Sequence, residues 1–407
     1  MKTAFAVIGA NWGDEGKGLA VDARASALIQ NGHAVTVVRS NGGAQAGHSV
    51  VCPNHGRHVF HHIGAGTLAG AATHLSQFFV AHPMMLADEL SRIQSLGAPR
   101  PPMTIDPRAP ITSPWDMAIN QALEIARGDK KHGSTGLGFG ETIERMEKGP
   151  ALVAQDLYTR GLAEKLDTIR RDWLPLRKAQ LGLIADDSPL GAVLSGTEDA
   201  QAVFLRDCEA FVSAVELFAD GDLAGDETIV FEGAQGLQLD MNFGRMPHVT
   251  RSRTGLANMI RIAKECGITS IHTSYMTRAY ATRHGAGPLP HEADTPNALP
   301  WLTMEDRTNA PNPWQGTLRL APLDLDALNR AINADLQEQT WSDISIDPHI
   351  GITCLDQINE AAPLIAGGQT LHFTAKDIPL AIGKHVGLKV AMQSWGDCRN
   401  KVIMSEN

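Results

Sequence analysis

No apolar run in the 407-residue chain approaches the roughly 18–20 residues that a bilayer-spanning helix needs, so no membrane partner is expected. Positive charge is not in excess either: 35 Lys and Arg stand against 45 Asp and Glu, a formal net charge of −10. That balance supplies none of the net basic field that a nucleic-acid backbone or an anionic membrane surface calls for, so a small anionic ligand must be gripped locally. Cysteine is scarce. Cys52, Cys208, Cys266, Cys354 and Cys398 are odd in number and widely spaced, which fits free thiols in a reducing compartment. The opening residues Met1–Gly9 hold one lysine and too short an apolar run for a secretory leader, and a cytoplasmic location is expected.

With 43% hydrophobic and 20% charged residues the chain falls in the ordinary globular range, which excludes disorder, collagen and fibre. Short β-rich apolar runs (Ala4–Ile8, Ala34–Val38, Thr228–Phe231, Ser270–Thr273, Ile346–Thr353, Leu388–Met392) alternate with amphipathic stretches such as Lys17–Gln30. The alternation predicts an α/β fold with a large, mainly parallel central sheet and flanking helices. No linker or charge block divides the chain, so one domain over residues 1–407 is expected, with insertions at about 100–225 and 285–322. The proline-rich stretches Pro107–Pro114 and Asp294–Pro313 read as loops.

Four segments carry chemistry. Gly9-Ala10-Asn11-Trp12-Gly13-Asp14-Glu15-Gly16-Lys17-Gly18 lies between a buried-type strand and a helix, the setting of a phosphate cradle. It departs from the standard P-loop, with Asn11 at the first glycine and Gly18 at the hydroxyl position. A carboxylate inside such a loop repels an anion unless it binds a metal or takes a proton, so Asp14 suits either role; a helix-capping turn is the structural alternative. Arg39–His48 is a second post-strand turn of small residues, where His48 suits a developing phosphoryl charge. Gly133–Gly140 is rich in glycine and hydroxyls and suits a monophosphate, with a surface loop as the alternative. In Glu232-Gly233-Ala234-Gln235-Gly236, Gln235 ends a strand and can present its amide to a planar base. Cys52, His55, His58, His61 and His62 match no closed zinc spacing and read instead as a hairpin around Pro53–Gly56.

The first, second and fourth segments together resemble the adenylosuccinate synthetase family, whose modified loop has the form Trp-Gly-Asp-Glu-Gly-Lys-Gly; Gly133–Gly138, Ala279–Pro288 and Ile352–Asp356 extend the likeness from about Phe5 to Arg399. The resemblance implies a carbon–nitrogen ligase that joins L-aspartate to C6 of a 6-oxopurine nucleoside monophosphate, by default IMP, with GTP as phosphate donor, Mg²⁺ and a homodimer. It implies Asp14 as general base, with His48 and Gln235 as the other catalytic residues. Asp14 and the Gly47 carbonyl would be metal ligands. Gly13, Glu15, Gly16, Lys17, Gly18 and Gly47 would surround the donor phosphates, and Cys354, Asp356, Ser394 and Gly396 the donor base. Asn41, Gln45, Ser134, Thr135, Gln235, Thr250, Thr317 and Arg319 would contact substrate, His284 would lie near the ribose, and Arg145 or Lys148 would stand for an intersubunit arginine that reaches the substrate phosphate.

The departures from the family pattern are specific. The usual arginine-rich aspartate loop is reduced to Pro313–Asp324 with the single Arg319, and Gly316 stands where an arginine usually faces the ribose. Cys354 replaces a lysine, Leu19 replaces a second lysine, Gln45 replaces Asn, and Ser394–Arg399 replaces the usual terminal segment. They motivate a second expectation, a divergent paralogue acting on dGMP or another modified purine nucleotide or using ATP, and a third of another class, a non-catalytic nucleotide-binding regulatory protein.

Overall fold

The computed structural model describes residues 2–128, 133–223, 225, 227–294, 298–304 and 317–405. In chain order the strands are β1 (Thr3–Gly9), β2 (Val35–Arg39), β3 (His48–Cys52), β4 (Gly56–Phe60), β5 (Ala72–Leu75), β6 (Met103–Ile105), β7 (Glu216–Leu217), β8 (Thr228–Glu232), β9 (Ser270–Arg278), β10 (Ala281–Arg283), β11 (Arg319–Ala321), β12 (Leu323–Asp324), β13 (Ser345–Thr353), β14 (Ala361–Ala366), β15 (Gln369–Thr374), β16 (Lys389–Ser394) and β17 (Val402–Met404). Ten of them form one sheet in the order β17-β16-β13-β9-β1-β8-β2-β5-β6-β7, parallel throughout except for β17. The expected mainly parallel α/β architecture is therefore the observed one.

β1 is central because both of its faces are apolar. Val7 packs into one core layer while Ala4, Ala6 and Ile8 pack into the other, the period-2 pattern of a strand covered on both sides. Its neighbours β8 and β9 hold it in parallel register, Phe5 opposite Val230 and Gly9 opposite Met276. The carboxyl ends of β1, β2, β8, β9 and β13 thus lie side by side, and in an open α/β sheet that edge is where ligands bind.

After β1 the chain turns and enters α1 (Lys17–Gln30), which buries Leu19, Ala20, Val21 and Ala23 against the sheet and stops at Asn31, before Gly32 turns left-handed at φ 84°. α2 (Pro83–Ser95), α3 (Pro114–Arg127) and α4 (Phe139–Lys148) follow, with further helices between Ala154 and Val212. The stretch Pro107–Pro114 is a loop only as far as Ser113. Pro114 opens α3, where its fixed φ and missing N–H are no handicap, and Ser113 and Asp116 form a reciprocal capping box. Asp294 and 298–304 carry short turns, while Pro313–Gly316 lie outside the described residues. Among the described residues no helix is long and apolar enough to cross a membrane.

Candidate active site

At the carboxyl edge of the sheet lies a cleft of about 850 Å³, bordered by the turn after β1, the turn after β2, the 133–141 segment, Gln235 and Leu239 after β8, residues 246–251, and 278–286 after β9. All four sequence segments meet there. Gly13, Asp14, Glu15, Gly16, Lys17, Gly18, Gln45, Gly47, His48, Ser134, Thr135, Gln235, Thr250 and His284 border it.

The turn after β1 is held open by Glu15, almost fully buried, whose carboxylate accepts the N–H groups of Asn11 (3.0 Å) and Gly13 (2.8 Å) and pairs with Lys17 Nζ at 2.6 Å. The acidic residue beside Asp14 therefore acts within the turn itself, standing where an anion would and keeping the backbone donors and the ammonium converged. Glycine is obligatory at two points. Gly16 is left-handed, and a Cβ there would meet Thr353 Cγ2 at 2.9 Å; a Cβ on Gly18 would meet the Ser49 carbonyl oxygen at 2.7 Å. Thr353 also donates its hydroxyl to the Glu15 carbonyl at 3.1 Å, and Asn11 Nδ2 donates to Thr277 at 2.9 Å, so β9 and β13 buttress the turn.

Four described non-glycine residues have positive φ, and three of them are Asp14 (63°), Gln235 (64°) and Cys354 (61°). Such conformations persist only where surrounding structure enforces them. Asp14 is held by Arg278, whose Nε donates to its carbonyl, and by His284 Nε2, 3.3 Å from Oδ2. Its carboxylate stays partly exposed, at 24%, so a ligand can reach it.

His48 begins β3 and turns Nδ1 onto the Glu232 carboxylate, with both side chains buried. Burial pushes the His48 imidazole down to about 4, against the pull of Glu232, so it is neutral at pH 7 with Nδ1–H donated to Glu232. Burial alone would raise Glu232, but Arg39 and His48 hold it below the usual carboxylate range. Glu232 was not singled out in the sequence, although an acid closing a fully buried strand beside Gly-Ala-Gln was the available signal.

Mg²⁺ takes hard oxygen donors and retains open positions for phosphate oxygens and water. The Asp14 carboxylate and the Gly47 backbone both border the cleft, and among the described residues no group of three or more His, Cys, Asp or Glu side chains forms a self-sufficient ion site. A carboxylate and a backbone carbonyl are donor types that Mg²⁺ takes.

The family model of adenylosuccinate synthetase matches residues 6–310. The chain belongs to the adenylosuccinate synthetase family. It is 34% identical over 298 residues to the adenylosuccinate synthetase of Anaeromyxobacter sp. (strain Fw109-5), covering 70% of this chain and 64% of that one. It is 33% identical over 297 residues to that of Mycobacterium sp. (strain KMS), covering 71% and 65%. The chain thus matches a little under two thirds of the length of these curated relatives. The fold extends further. The fully ligated adenylosuccinate synthetase from Plasmodium falciparum superposes with a TM-score of 0.74 at 18% identity, covering 99% of this chain and 100% of that one. The succinoaminodeoxyadenylate synthetase of cyanophage S-2L, bound to dGMP and dATP as an energy donor, gives 0.63 at 16%, covering 100% and 96%. The family match in sequence ends ahead of Arg319, Cys354, Asp356, Ser394 and Gly396, so the fold persists where the sequence departs.

Several family-implied residues do not border the cleft. Arg145 is fully buried and spends its guanidinium on Asp116 (2.8 Å), the Ile111 carbonyl (2.7 Å) and the Pro150 carbonyl (2.9 Å); in this chain it is a core ion pair and not a phosphate ligand. Lys148, the other candidate, bonds Glu144 at 2.9 Å. Asn41 clamps the backbone of Ala234, donating to its carbonyl at 3.0 Å and accepting its N–H at 2.7 Å, which ties the two turns together and leaves its amide committed. Arg319 pairs with Glu292 and donates to the Gly285 and Gly287 carbonyls, and Thr317 is exposed beside it. Cys354, Asp356, Ser394 and Gly396 lie beyond the cleft at the ends of β13 and β16, where Ser394 donates to the Gly396 carbonyl at 2.5 Å. Gly316 lies outside the described residues. The hairpin histidines take separate partners: His55 the Leu96 carbonyl, His61 the Ala44 carbonyl and His62 Glu89, while His58 stacks edge-on to Phe60.

Proposed function

We propose that the protein is a carbon–nitrogen ligase of the adenylosuccinate synthetase type, which condenses L-aspartate with C6 of a 6-oxopurine nucleoside 5′-monophosphate at the expense of a nucleoside triphosphate. The observation that carries the reading is the meeting of Asp14, His48 and Gln235 around one cleft with an anion-shaped turn. Asp14 removes the N1 proton of the purine, which makes O6 a nucleophile toward the γ-phosphorus. Gln235 donates its amide to the base at O6, and the backbone donors of Gly13–Gly18 with Lys17 hold the donor phosphates. His48, with Nδ1 committed to Glu232, takes a proton from water onto Nε2 as the phosphoryl anion binds beside it, and donates it to a phosphoryl oxygen. Thr135, Ser134 and Thr250 hold the 5′-phosphate with their hydroxyls. The phosphorylated O6 is then displaced by the aspartate amine, C6–N forming as C6–O breaks. Mg²⁺ would be held by the Asp14 carboxylate and the Gly47 carbonyl and would supply charge neutralisation at the phosphates.

IMP with GTP is the first reading, supported by Asp14 and by Asp356, whose carboxylate suits the N–H groups of guanine. A second reading, dGMP or another modified purine nucleotide with ATP as donor, is favoured by one observation: the sequence leaves the family model after residue 310, ahead of the donor-base segments. Phosphate release with aspartate and Mg²⁺, assayed across IMP, dIMP, GMP and dGMP with GTP and with ATP and checked by product mass, separates the two. Asp14→Asn is expected to abolish turnover while calorimetry still detects nucleotide binding. Binding without phosphate release by the wild-type protein would make it a non-catalytic nucleotide-binding protein.

A further inference from the structure

The seven residues that close β9 and run through β10 grip the turn after β1 at every position from 12 to 14. Arg283 lies over the Trp12 ring, 5.8 Å from its centroid. Thr282 donates its hydroxyl to the Gly13 carbonyl at 3.4 Å, and Arg278 donates Nε to the Asp14 carbonyl. His284 completes the set at the side chain, with Nε2 3.3 Å from Asp14 Oδ2. Of these contacts the one from Arg278 fixes the backbone of Asp14, held at φ 63°, and the one from His284 meets its carboxylate. Both His284 and Asp14 border the cleft and remain only partly exposed, 17% and 24%, so the contact is made at the site and not in bulk water.

We propose that His284 is a positioning residue for Asp14: its Nε2, within ion-pair distance of Oδ2, steadies the carboxylate where it faces the cleft. The role differs from a ribose contact, and it rests on the reading of Asp14 as the group that meets the base. An unheld aspartate carboxylate at this position has free rotation about χ2 and spends part of its time turned from the substrate. Misplacement of a reacting group by an ångström is enough to cost about 100-fold in rate.

The test compares His284→Val, which removes the donor, with His284→Gln, which keeps one. His284→Val is expected to lower kcat about 10- to 100-fold with the nucleotide KM within about threefold, and His284→Gln to recover about tenfold of that loss. A His284→Val enzyme with wild-type kcat overturns the proposal, as does a rise in nucleotide KM with kcat unchanged, which would return His284 to the ribose. An Asp14→Asn protein that keeps most of its activity defeats the base assignment and not the contact. The contact is read separately from the imidazole ¹⁵N spectrum of the full chain, with the His284 resonance assigned by its loss in His284→Gln. Asp14→Ala is expected to shift that resonance, and an unmoved resonance overturns the proposal whether or not any variant turns over or the Val variant folds.

Discussion

Replacing Arg145 separates the structural account from the one the family pattern implies. Arg145→Met removes a guanidinium that is fully buried and makes three contacts with Asp116 between 2.8 and 3.1 Å, besides those with two backbone carbonyls. Methionine keeps much of the stem's packing but strands the Asp116 carboxylate, which retains, among the described residues, the Ser113 N–H and hydroxyl at 2.9 Å and the more distant Thr142 hydroxyl. Breaking a buried pair from one side costs about 3–5 kcal/mol, a large share of the roughly 5–15 kcal/mol that holds a domain together. The urea midpoint is therefore expected to fall sharply, with nucleotide affinity unchanged at temperatures where the variant is folded. Arg145→Met with Asp116→Asn is expected to be less destabilised than the sum of the two single changes, because the second change relieves the stranded charge. A variant of wild-type stability with a weakened monophosphate KM would refute this account and put Arg145 in contact with substrate.

Two further outcomes follow from buried carboxylates. Glu15→Ala leaves the Asn11 and Gly13 N–H groups and the Lys17 ammonium without their shared acceptor, so unliganded stability is expected to drop by about 3 kcal/mol. Because triphosphate would replace the lost acceptor, its thermal shift on the variant should exceed that on the wild type, and equal shifts would count against the brace. Asp335, fully buried, takes the Leu256 N–H at 2.9 Å and the Tyr275 hydroxyl at 2.8 Å, yet burial pushes it up to about 6. Its folded-state proton is held more tightly than in the unfolded chain, so its contribution is full below about pH 4 and is lost as pH rises through about 6. Between pH 4 and 7 the stability difference should swing toward Asp335→Asn by about 2 kcal/mol in urea titrations, and parallel curves would contradict this.

What the sequence made legible was the centre of the sheet and the turns that leave it. β1, β2 and β8 are short, mostly apolar runs, and α1 begins at Lys17 and ends at Gln30, as its periodicity and the glycines around it require. The sheet's far edge was not legible, because β6 and β7 are three and two residues long and exist only through pairing with distant segments. The start of α3 was hidden for a local reason: Pro114 reads as a loop signal unless Ser113 and Asp116 are recognised as a cap. At the site, residue types announced ligand chemistry but not where their hydrogen bonds go. Asn41 and Arg145 have the chemistry of ligand contacts and spend it on Ala234 and Asp116; Glu15 stands in the phosphate loop and braces it from within.

β1 has a consequence for how the molecule comes to exist. Residues 3–9 lie between β8 and β9, at 228–232 and 270–278, so β1 is separated from its neighbours by more than 200 residues of chain. A growing chain must carry an apolar, unpaired strand and the whole of the Gly9–Gly18 turn without partners until those segments have emerged. Formation of this sheet is therefore slow and dominated by long loop closures, and the nascent protein is most exposed to aggregation through β1 during that wait. Nucleotide can give no help, since the cleft that would hold it is assembled by the same late pairing.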